Sequence, residues 1–333
     1  MRRLATVILA AAVAACLGAC ATKVKAQYVA PAQFSVAGIT RLAVAEFRAY
    51  GGMSSSMAPE LSDRIARELT GEGFFTVVPG APRVSAEGGG AGWRAWAQDN
   101  DVEGVLAGTI DEARVRHEVS HERTKEEVHT GRYRDEVYIE GGQVRKRRVE
   151  IVRQETRLIP TVRKYAELNA TVALLNARTG ARLSSQTYRK TSSSYAQGEG
   201  RARSMDSDTY LLEKLAAEIA RDVVRDLVPH AQQEKIALAE DKACVEGLKR
   251  ARQGDWAGAR SAWEQVVAAD PANHAALYNM GVAAEIAQRY EEAREYYAKA
   301  AAIERKDLYT KALARVEQRL RQQRQLNEQL KGR

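Results

Sequence analysis

The sequence predicts two domains: an α+β domain, in which helices pack on a mixed sheet, followed by an all-α helical-repeat domain. Three observations predict this organisation. Strand-like and helix-like segments alternate over residues 39–110. Two long segments with alternating apolar residues flank Gly141-Gly142, as in a β-hairpin. Glycine, alanine and aromatic residues recur 34 positions apart in the last third of the 333-residue chain.

The first 20 residues have the layout of an export signal. Arg2 and Arg3 precede an apolar run over 4–17 that is too short for a comfortable membrane span. The next residues, Leu17-Gly18-Ala19-Cys20, resemble the lipobox of bacterial lipoproteins. The resemblance implies a signal peptide at 1–19, acylation of Cys20 and, because Ala21 is not aspartate, location on the periplasmic side of the outer membrane. An ordinary signal peptide cut near Ala21 is the alternative.

Net charge and cysteine content narrow the class of partner. Loss of residues 1–19 leaves 49 basic and 43 acidic residues, a net charge of +6. This modest excess permits contact with anionic lipid, cell-wall polymer or an acidic protein, and a location outside the cytoplasm argues against nucleic acid. Because Cys16 leaves with the signal and Cys20 carries lipid, Cys244 is alone and predicts a small buried side chain rather than a disulfide.

Residues 20–38 show no periodicity and are interpreted as a tether to the membrane. From residue 39 the pattern becomes β-α-β-α-β. Strands are expected at 41–47, 74–79 and 102–110, with a helix through Leu61, Ile65 and Leu69 and a short one through Trp93 and Trp96. A hairpin with charges on both faces is predicted at about 111–165, followed by strands at 168–175 and 182–190. A polar loop at 192–208 then leads to a helix that ends before Pro229.

Several segments of residues 39–230 resemble a CsgG/LpoB-like domain of bacterial envelope lipoproteins. The matching stretches are "RLAVAEF" at 41–47, "ELSDRIARELTGEGFFTVV" at 60–78, "GVLAGTI" at 104–110 and "VALLNARTGARL" at 172–183. The family includes the curli secretion channel lipoprotein, activators of penicillin-binding proteins and the N-terminal domain of the Tol-system propeller protein. The resemblance implies a domain that binds proteins or oligomerises. Charges on both faces of the 111–165 hairpin argue against lipid-facing strands and hence against a pore.

The last third of the chain has the 34-residue period of tetratricopeptide (TPR) repeats, and its glycine, alanine and aromatic positions match that family. Two repeats are predicted over 231–306, with a capping helix at 307–333 because two repeats bury little by themselves. The small residues permit close helix approach and the aromatic residues fill the space between helices. The matching positions are Gly247, Trp256, Ala259 and Trp263 in the first repeat and Gly281, Tyr290, Ala293 and Tyr297 in the second.

Two groups of residues are candidates for partner binding. In tetratricopeptide arrays the first helix of each repeat lines the concave face, and this resemblance places Arg252, Tyr278 and Glu285 there as protein-binding candidates. Packing between repeats is the alternative for each. The basic run Arg145-Lys146-Arg147-Arg148 is a candidate for an anionic partner, or else a solvated strand edge that discourages edge pairing.

His117-Glu118-Val119-Ser120-His121 matches the HExxH pattern of zinc proteases. That chemistry needs both histidines on one helix face, with the glutamate activating a zinc-bound water. The surrounding alternation predicts a strand instead, in which His117 and His121 would lie about 13 Å apart at ~3.3 Å per residue. The match is therefore kept only as the enzyme alternative.

Together these features predict a non-enzymatic lipoprotein that scaffolds or activates an envelope assembly or export machine. Protein partners in the envelope, a lipid anchor in the membrane and no cofactor, metal or nucleic acid are expected. A homo-oligomer is left open. The alternatives are a subunit of a ring-forming secretion channel and a zinc metalloprotease acting through residues 117–121.

Overall fold

A computed structural model describes residues 22–89 and 92–331, with the side chain of residue 199 excepted. The predicted signal peptide and Cys20 lie outside the described residues. The chain divides into two compact units: an α/β unit of residues 39–226, and a repeat unit that combines the residues before 39 with those from 227 onward. This confirms the predicted fold class, a mixed sheet with helices plus a helical-repeat domain.

The α/β unit contains a six-stranded mixed sheet. Its strands run in the order β4-β2-β5-β6-β7, and β3 also pairs with β5. Strands β2, β4 and β5 are parallel, whereas β5, β6 and β7 are antiparallel. The strands are β2 Arg41–Val44, β3 Arg48–Ala49, β4 Thr76–Val78, β5 Gly104–Glu140, β6 Gln143–Asn176 and β7 Arg182–Gln197. The helices are α1 Gly52–Glu72, α2 Trp93–Asp99, α3 Glu199–Arg203 and α4 Asp208–Leu227.

The core of this unit follows the predicted apolar periodicity. Leu61, Ile65 and Leu69 of α1 are fully buried, as are the apolar residues of α4 at the expected helical spacing. Gly108 of β5 is required by close packing, because an added Cβ would lie 2.4 Å from the ring of Phe47. One expectation is corrected: the predicted polar loop at 192–208 contains the end of β7 and helix α3, since cross-strand pairing with Thr161–Leu168 extends β7 to Gln197.

Strands β5 and β6 form the predicted long hairpin. They are 37 and 34 residues long and turn at Gly141 and Gly142, whose φ angles of 60° and 78° favour glycine. Strand β7 covers β6 only as far as Thr161. We call residues 122–160 the outer hairpin, a two-stranded segment beyond the reach of β7.

The repeat unit contains a two-stranded antiparallel sheet, the β1–β8 ribbon, and five α-helices among its described residues. The ribbon pairs Lys23 with Ala237 at one end and Ala30 with His230 at the other. The bounds are β1 Lys23–Ala30, β8 His230–Ala237, α5 Val245–Arg252, α6 Trp256–Ala269, α7 His274–Ile286, α8 Tyr290–Ile303 and α9 Asp307–Leu330, with a 3-10 turn at Lys242–Cys244. Side chains of Asp255 and Asn273 cap α6 and α7.

The predicted tether at 20–38 and the predicted start of the repeats at 231 are both corrected by the ribbon. Val24 and Ala26 are buried in the same hydrophobic core as Ile236 and Leu238, so the segment from Thr22 is part of the repeat unit. The alternation of lysine with apolar residues in β1 is too short to predict a strand by itself. None of the helices in the described ranges is long and apolar enough to cross a membrane.

Candidate interaction surfaces

The eight repeat-pattern positions build the packing of the repeat unit. Trp263 and Tyr297 are fully buried, as are Ala259 and Ala293. An added Cβ on Gly247 would lie 2.2 Å from the Trp263 indole nitrogen, and one on Gly281 would lie 2.6 Å from the Tyr297 ring. Glycine at these two positions therefore permits the helix approach that the aromatic side chains require.

The three candidate contact residues of the concave face all make contacts within the chain. Tyr278 is fully buried and its hydroxyl donates to the Ala237 carbonyl at 2.8 Å. Glu285 is 3% exposed, accepts from Arg315 Nε at 2.8 Å and from the Tyr297 hydroxyl at 2.6 Å. Arg252 is exposed, and its Nε donates to Thr22 Oγ1 at 3.2 Å. The expectation that Tyr278 and Glu285 contact a partner is corrected, because the β1–β8 ribbon and α9 already bury them.

The side-chain amides of Asn279 and Gln329 bind the backbone of the segments that follow β8 and β1, respectively. Asn279 accepts from the Ala239 N–H at 2.8 Å and donates to the Ala239 carbonyl at 2.9 Å. Gln329 makes the same pair of bonds with Ala32, both at 2.9 Å. The sequence pattern does not identify either residue as a contact between segments. The only signal was a single asparagine within the otherwise apolar stretch of α7, since a buried amide needs partners.

An open apolar groove lies between α6, α7 and α8. It is lined by Val267, Leu277, Met280, Tyr296 and Ile303, with Glu264 and Lys299 among the polar lining residues. Ile303 is 45% exposed. A groove with an apolar floor and a few charged residues fits an apolar segment of another protein.

The outer hairpin has two different faces near its turn. Val137, Ile139 and Val144 share one face and are 56%, 75% and 71% exposed. On the other face, Glu136 accepts from Arg147 Nη2 at 2.6 Å, and Glu140 pairs with Arg145 at 3.1 Å. The predicted basic run is therefore divided by the strand alternation: Arg145 and Arg147 are paired with carboxylates, whereas Lys146 and Arg148 lie on the apolar face.

The two strands of the outer hairpin carry opposite net charge. Between residues 122 and 140, β5 has six acidic and four basic residues, a net charge of −2. Between residues 143 and 160, β6 has two acidic and six basic residues, a net charge of +4. Each strand pairs only with the other along this stretch, so each presents one edge of backbone N–H and C=O groups to solvent.

The HExxH match lies in β5, as the alternation predicted. His117 Nε2 is 2.8 Å from Asp208 Oδ2, and Lys164 Nζ is 2.9 Å from Asp208 Oδ1. The backbone is therefore extended where zinc proteases have a helix. Within residues 22–89 and 92–331, no group of three histidine, cysteine or acidic side chains is arranged to hold a metal ion.

Comparison with known proteins supports the repeat assignment. Residues 244–312 match the family model described as Tetratricopeptide repeat. No curated protein matches the chain. The match to the repeat model covers helices α5 to α8 and the beginning of α9, where the sequence predicts the repeats.

Several solved structures are weakly similar to this chain. A variant of the PelC dodecamer from Paraburkholderia phytofirmans is 16% identical, with a TM-score of 0.32, and the alignment covers 62% of this chain and 99% of that one. Lipoprotein GNA1162 from Neisseria meningitidis is 12% identical, with a TM-score of 0.27 and coverage of 57% and 99%. A minor lipoprotein from Acinetobacter baumannii is 9% identical, with a TM-score of 0.25 and coverage of 58% and 96%. All three TM-scores are too low to establish a common fold.

Proposed function

We propose that this chain is an outer-membrane lipoprotein, acylated at Cys20, that acts as a non-enzymatic protein-interaction scaffold or activator in cell-envelope assembly or export. The α/β unit is proposed to belong to the CsgG/LpoB-like lipoproteins. The observation that carries the scaffold role is the open apolar groove on the tetratricopeptide helices. Tyr278 and Glu285 are buried by other residues of the same chain. We therefore propose the groove, and not these two residues, as the partner-binding site.

Photo-cross-linking in cells tests the groove. A benzoylphenylalanine in place of Ile303 should give one defined protein adduct, while the same residue in place of exposed Arg321 on α9 should not. Ile303→Glu should weaken recovery of the same partner at least about tenfold, because it places a charge in an apolar contact. The control Arg321→Glu should leave recovery unchanged. An adduct pattern that is the same at both positions contradicts the proposed site.

The lipid anchor is tested separately. Cys20→Ser should abolish metabolic labelling with palmitate and release the protein from the membrane fraction, because the acyl chains supply the membrane affinity. Sucrose-gradient separation of the wild-type membranes should place the protein with the outer membrane. Palmitate labelling of Cys20→Ser would contradict acylation at Cys20. Wild-type protein in the inner-membrane fraction would contradict the outer-membrane location.

A ring-forming subunit of a secretion channel is the second candidate. The charges of the outer hairpin argue against lipid-facing strands, but the opposite net charges of its two strands favour contact between subunits of a ring. The β5 strand of the outer hairpin is net acidic and its β6 strand is net basic, so pairing of β5 in one copy with β6 in the next around a ring brings opposite charges together. Light scattering of the full mature chain without lipid should then show a multimer. Arg153→Glu with Arg157→Glu should dissociate it, whereas the same double change at exposed Arg178 and Arg182 should not. A wild-type monomer at high protein concentration contradicts this candidate.

The non-enzymatic role is tested by metal analysis. The purified chain should contain no stoichiometric zinc, because the extended backbone at residues 117–121 separates His117 from His121. His117→Ala should leave the metal content unchanged. Stoichiometric zinc in the wild type that is absent from His117→Ala would contradict the non-enzymatic role and favour the metalloprotease alternative.

A further inference from the structure

The β1–β8 ribbon has one buried face and one exposed face. Val24, Ala26 and Ile236 point into the core of the repeat unit. The residues that alternate with these along each strand point away from the core and are exposed. On β1 these are Lys23, Lys25, Gln27 and Val29, and on β8 they include Lys235 opposite Lys25 and Gln233 opposite Gln27.

The exposed face of the ribbon carries uncompensated positive charge. It contains three lysines and no acidic residue, because the ribbon's glutamate, Glu234, lies on the other face and bonds to Arg319. Among the described residues, Lys23, Lys25 and Lys235 have no ion-pair partner. By contrast, several arginines on the helices of the same unit are paired, as in Arg260 with Glu292 at 2.7 Å and Arg294 with Glu291 at 2.8 Å.

The ribbon begins close to the proposed lipid anchor. The Thr22 N–H donates to Glu240 at 3.2 Å, and Arg252 donates to the Thr22 hydroxyl, so Thr22 is held on the repeat unit. Cys20 is two residues earlier, which corresponds to at most about 7 Å of extended chain. Acyl chains on Cys20 therefore bring the ribbon to the lipid surface, and this step depends on the proposed acylation.

We propose that the outward face of the β1–β8 ribbon lies on the membrane surface, with Lys23, Lys25 and Lys235 contacting the phosphates of anionic phospholipid headgroups. Lysines near an anionic surface are attracted to it, and an adjacent anchor makes this contact effectively intramolecular. The acyl chains hold the protein in the membrane, and the lysines set which face of the repeat unit is turned toward it. This face is separate from the groove between α6, α7 and α8.

Cross-linking to lipid tests this orientation. The mature full chain is coupled through Cys20 to a maleimide lipid in vesicles. The other cysteine, Cys244, is fully buried, and burial raises the pKa of its thiol to about 12, so it should not couple. A benzoylphenylalanine in place of Gln27 or Gln233 should cross-link to phospholipid, and one in place of exposed Glu295 on α8 should not. Vesicles of equal parts phosphatidylglycerol and phosphatidylcholine should give about tenfold more adduct than phosphatidylcholine alone.

Charge variants decide the role of the lysines. Lys23→Gln, Lys25→Gln and Lys235→Gln together should remove the preference for phosphatidylglycerol, and arginine at the same three positions should keep it. Lys214→Gln, Lys249→Gln and Lys311→Gln together are the control of equal charge and should also keep it. Circular dichroism should show the same fold for all variants, since every changed side chain is exposed.

Three results would overturn the proposal. The first is an equal yield of lipid adduct with benzoylphenylalanine at Gln27 and at Glu295. The second is a preference for phosphatidylglycerol that is unchanged when Lys23, Lys25 and Lys235 are replaced by glutamine. The third is cross-linking from Gln27 in cells to a protein and not to lipid. The last would assign the face to an acidic protein. Because the maleimide lipid supplies the anchor, failure of natural acylation leaves this experiment unaffected, and palmitate labelling of wild type and Cys20→Ser tests that step independently.

Discussion

At the scale of single residues, glycine decides how closely the repeat helices approach. Gly247→Ala or Gly281→Ala should lower the free energy of unfolding by about 1–3 kcal/mol, because the new methyl group overlaps the Trp263 or Tyr297 ring. Urea denaturation of the full chain measures the change.

The control for these two variants is Gly71→Ala in α1, where no atom lies within 4 Å of the added Cβ. It should raise the free energy of unfolding by about 0.5–1 kcal/mol, because alanine is the better helix former. If alanine at Gly247 or Gly281 changes the free energy of unfolding by the same amount as alanine at Gly71, steric overlap with the aromatic rings is not the cause.

A second residue-scale prediction concerns Glu167 of β6. Hydrogen bonds from Arg114 and Arg189, at 2.8 Å each, hold the pKa of its carboxyl at about 2, below the usual 4.5. A carboxyl with a lowered folded-state pKa stabilises the fold above its unfolded-state pKa, and this stability is lost as pH falls from about 4.5 to about 2. Glu167→Gln should therefore be less stable than wild type at neutral pH, with a smaller loss of stability across that acidic interval.

Denaturant titrations at neutral pH and about pH 3 measure this difference. Glu136→Gln is the matched control, because Glu136 pairs with Arg147 on the exposed outer hairpin, where an ion pair contributes little to global stability. A pH dependence of Glu167→Gln that equals that of wild type contradicts the assignment.

At the scale of elements, the outer hairpin should be the most readily opened part of the sheet. Two strands without further cover are marginal in water, and this segment contributes no fully buried side chain. Hydrogen exchange should therefore be fast at 122–160 and slow at 104–110 and 168–175, where β5 and β6 lie within the wider sheet. Deleting 122–160 across an Asn-Gly turn should leave the melting temperature of the remaining chain nearly unchanged. Slow exchange in the isolated protein would show that the hairpin already has a partner, such as a second copy.

Elements with strong local signals were predictable from the sequence, and elements defined by distant pairing were not. The helix through Leu61, the turn at Gly141-Gly142 and the tetratricopeptide helices carry periodicity or turn chemistry within a few residues. Strands β1 and β8 are eight residues each, lie about 200 positions apart and have no turn between them to indicate pairing. For the same reason, repeat positions could place Tyr278 on a helix face but could not show that Ala237 lies over it.

At the scale of the whole molecule, the N-terminal segment supports the C-terminal unit. Removing residues 22–37 should destabilise the repeat unit, because β8 loses its partner strand and Gln329 loses its bonds to Ala32. The α/β unit of residues 39–226 should keep its stability, since its core lies within those bounds. Calorimetry should show a lower melting temperature for the repeat unit and an unchanged melting temperature for the α/β unit.

The control for this truncation is the mature chain that ends at residue 331, which keeps every described residue. A truncated protein in which both transitions shift equally would mean that the two units unfold as one. Unchanged transitions would mean that β1 contributes nothing to the repeat unit.

The pairing of β1 with β8 also has a consequence for the order in which the chain folds. Synthesis from the N-terminus delivers β1 first, yet its partner β8 follows only after the entire α/β unit. Closing a flexible loop of this length is unfavourable by an amount that grows with the logarithm of its length. If residues 39–226 fold first, they replace most of that loop with a rigid body, and the remaining closure involves only short connections. In that order of events, folding of the inserted α/β unit shortens the effective loop between β1 and β8 and limits the time for which the apolar side of β1 stays exposed to aggregation.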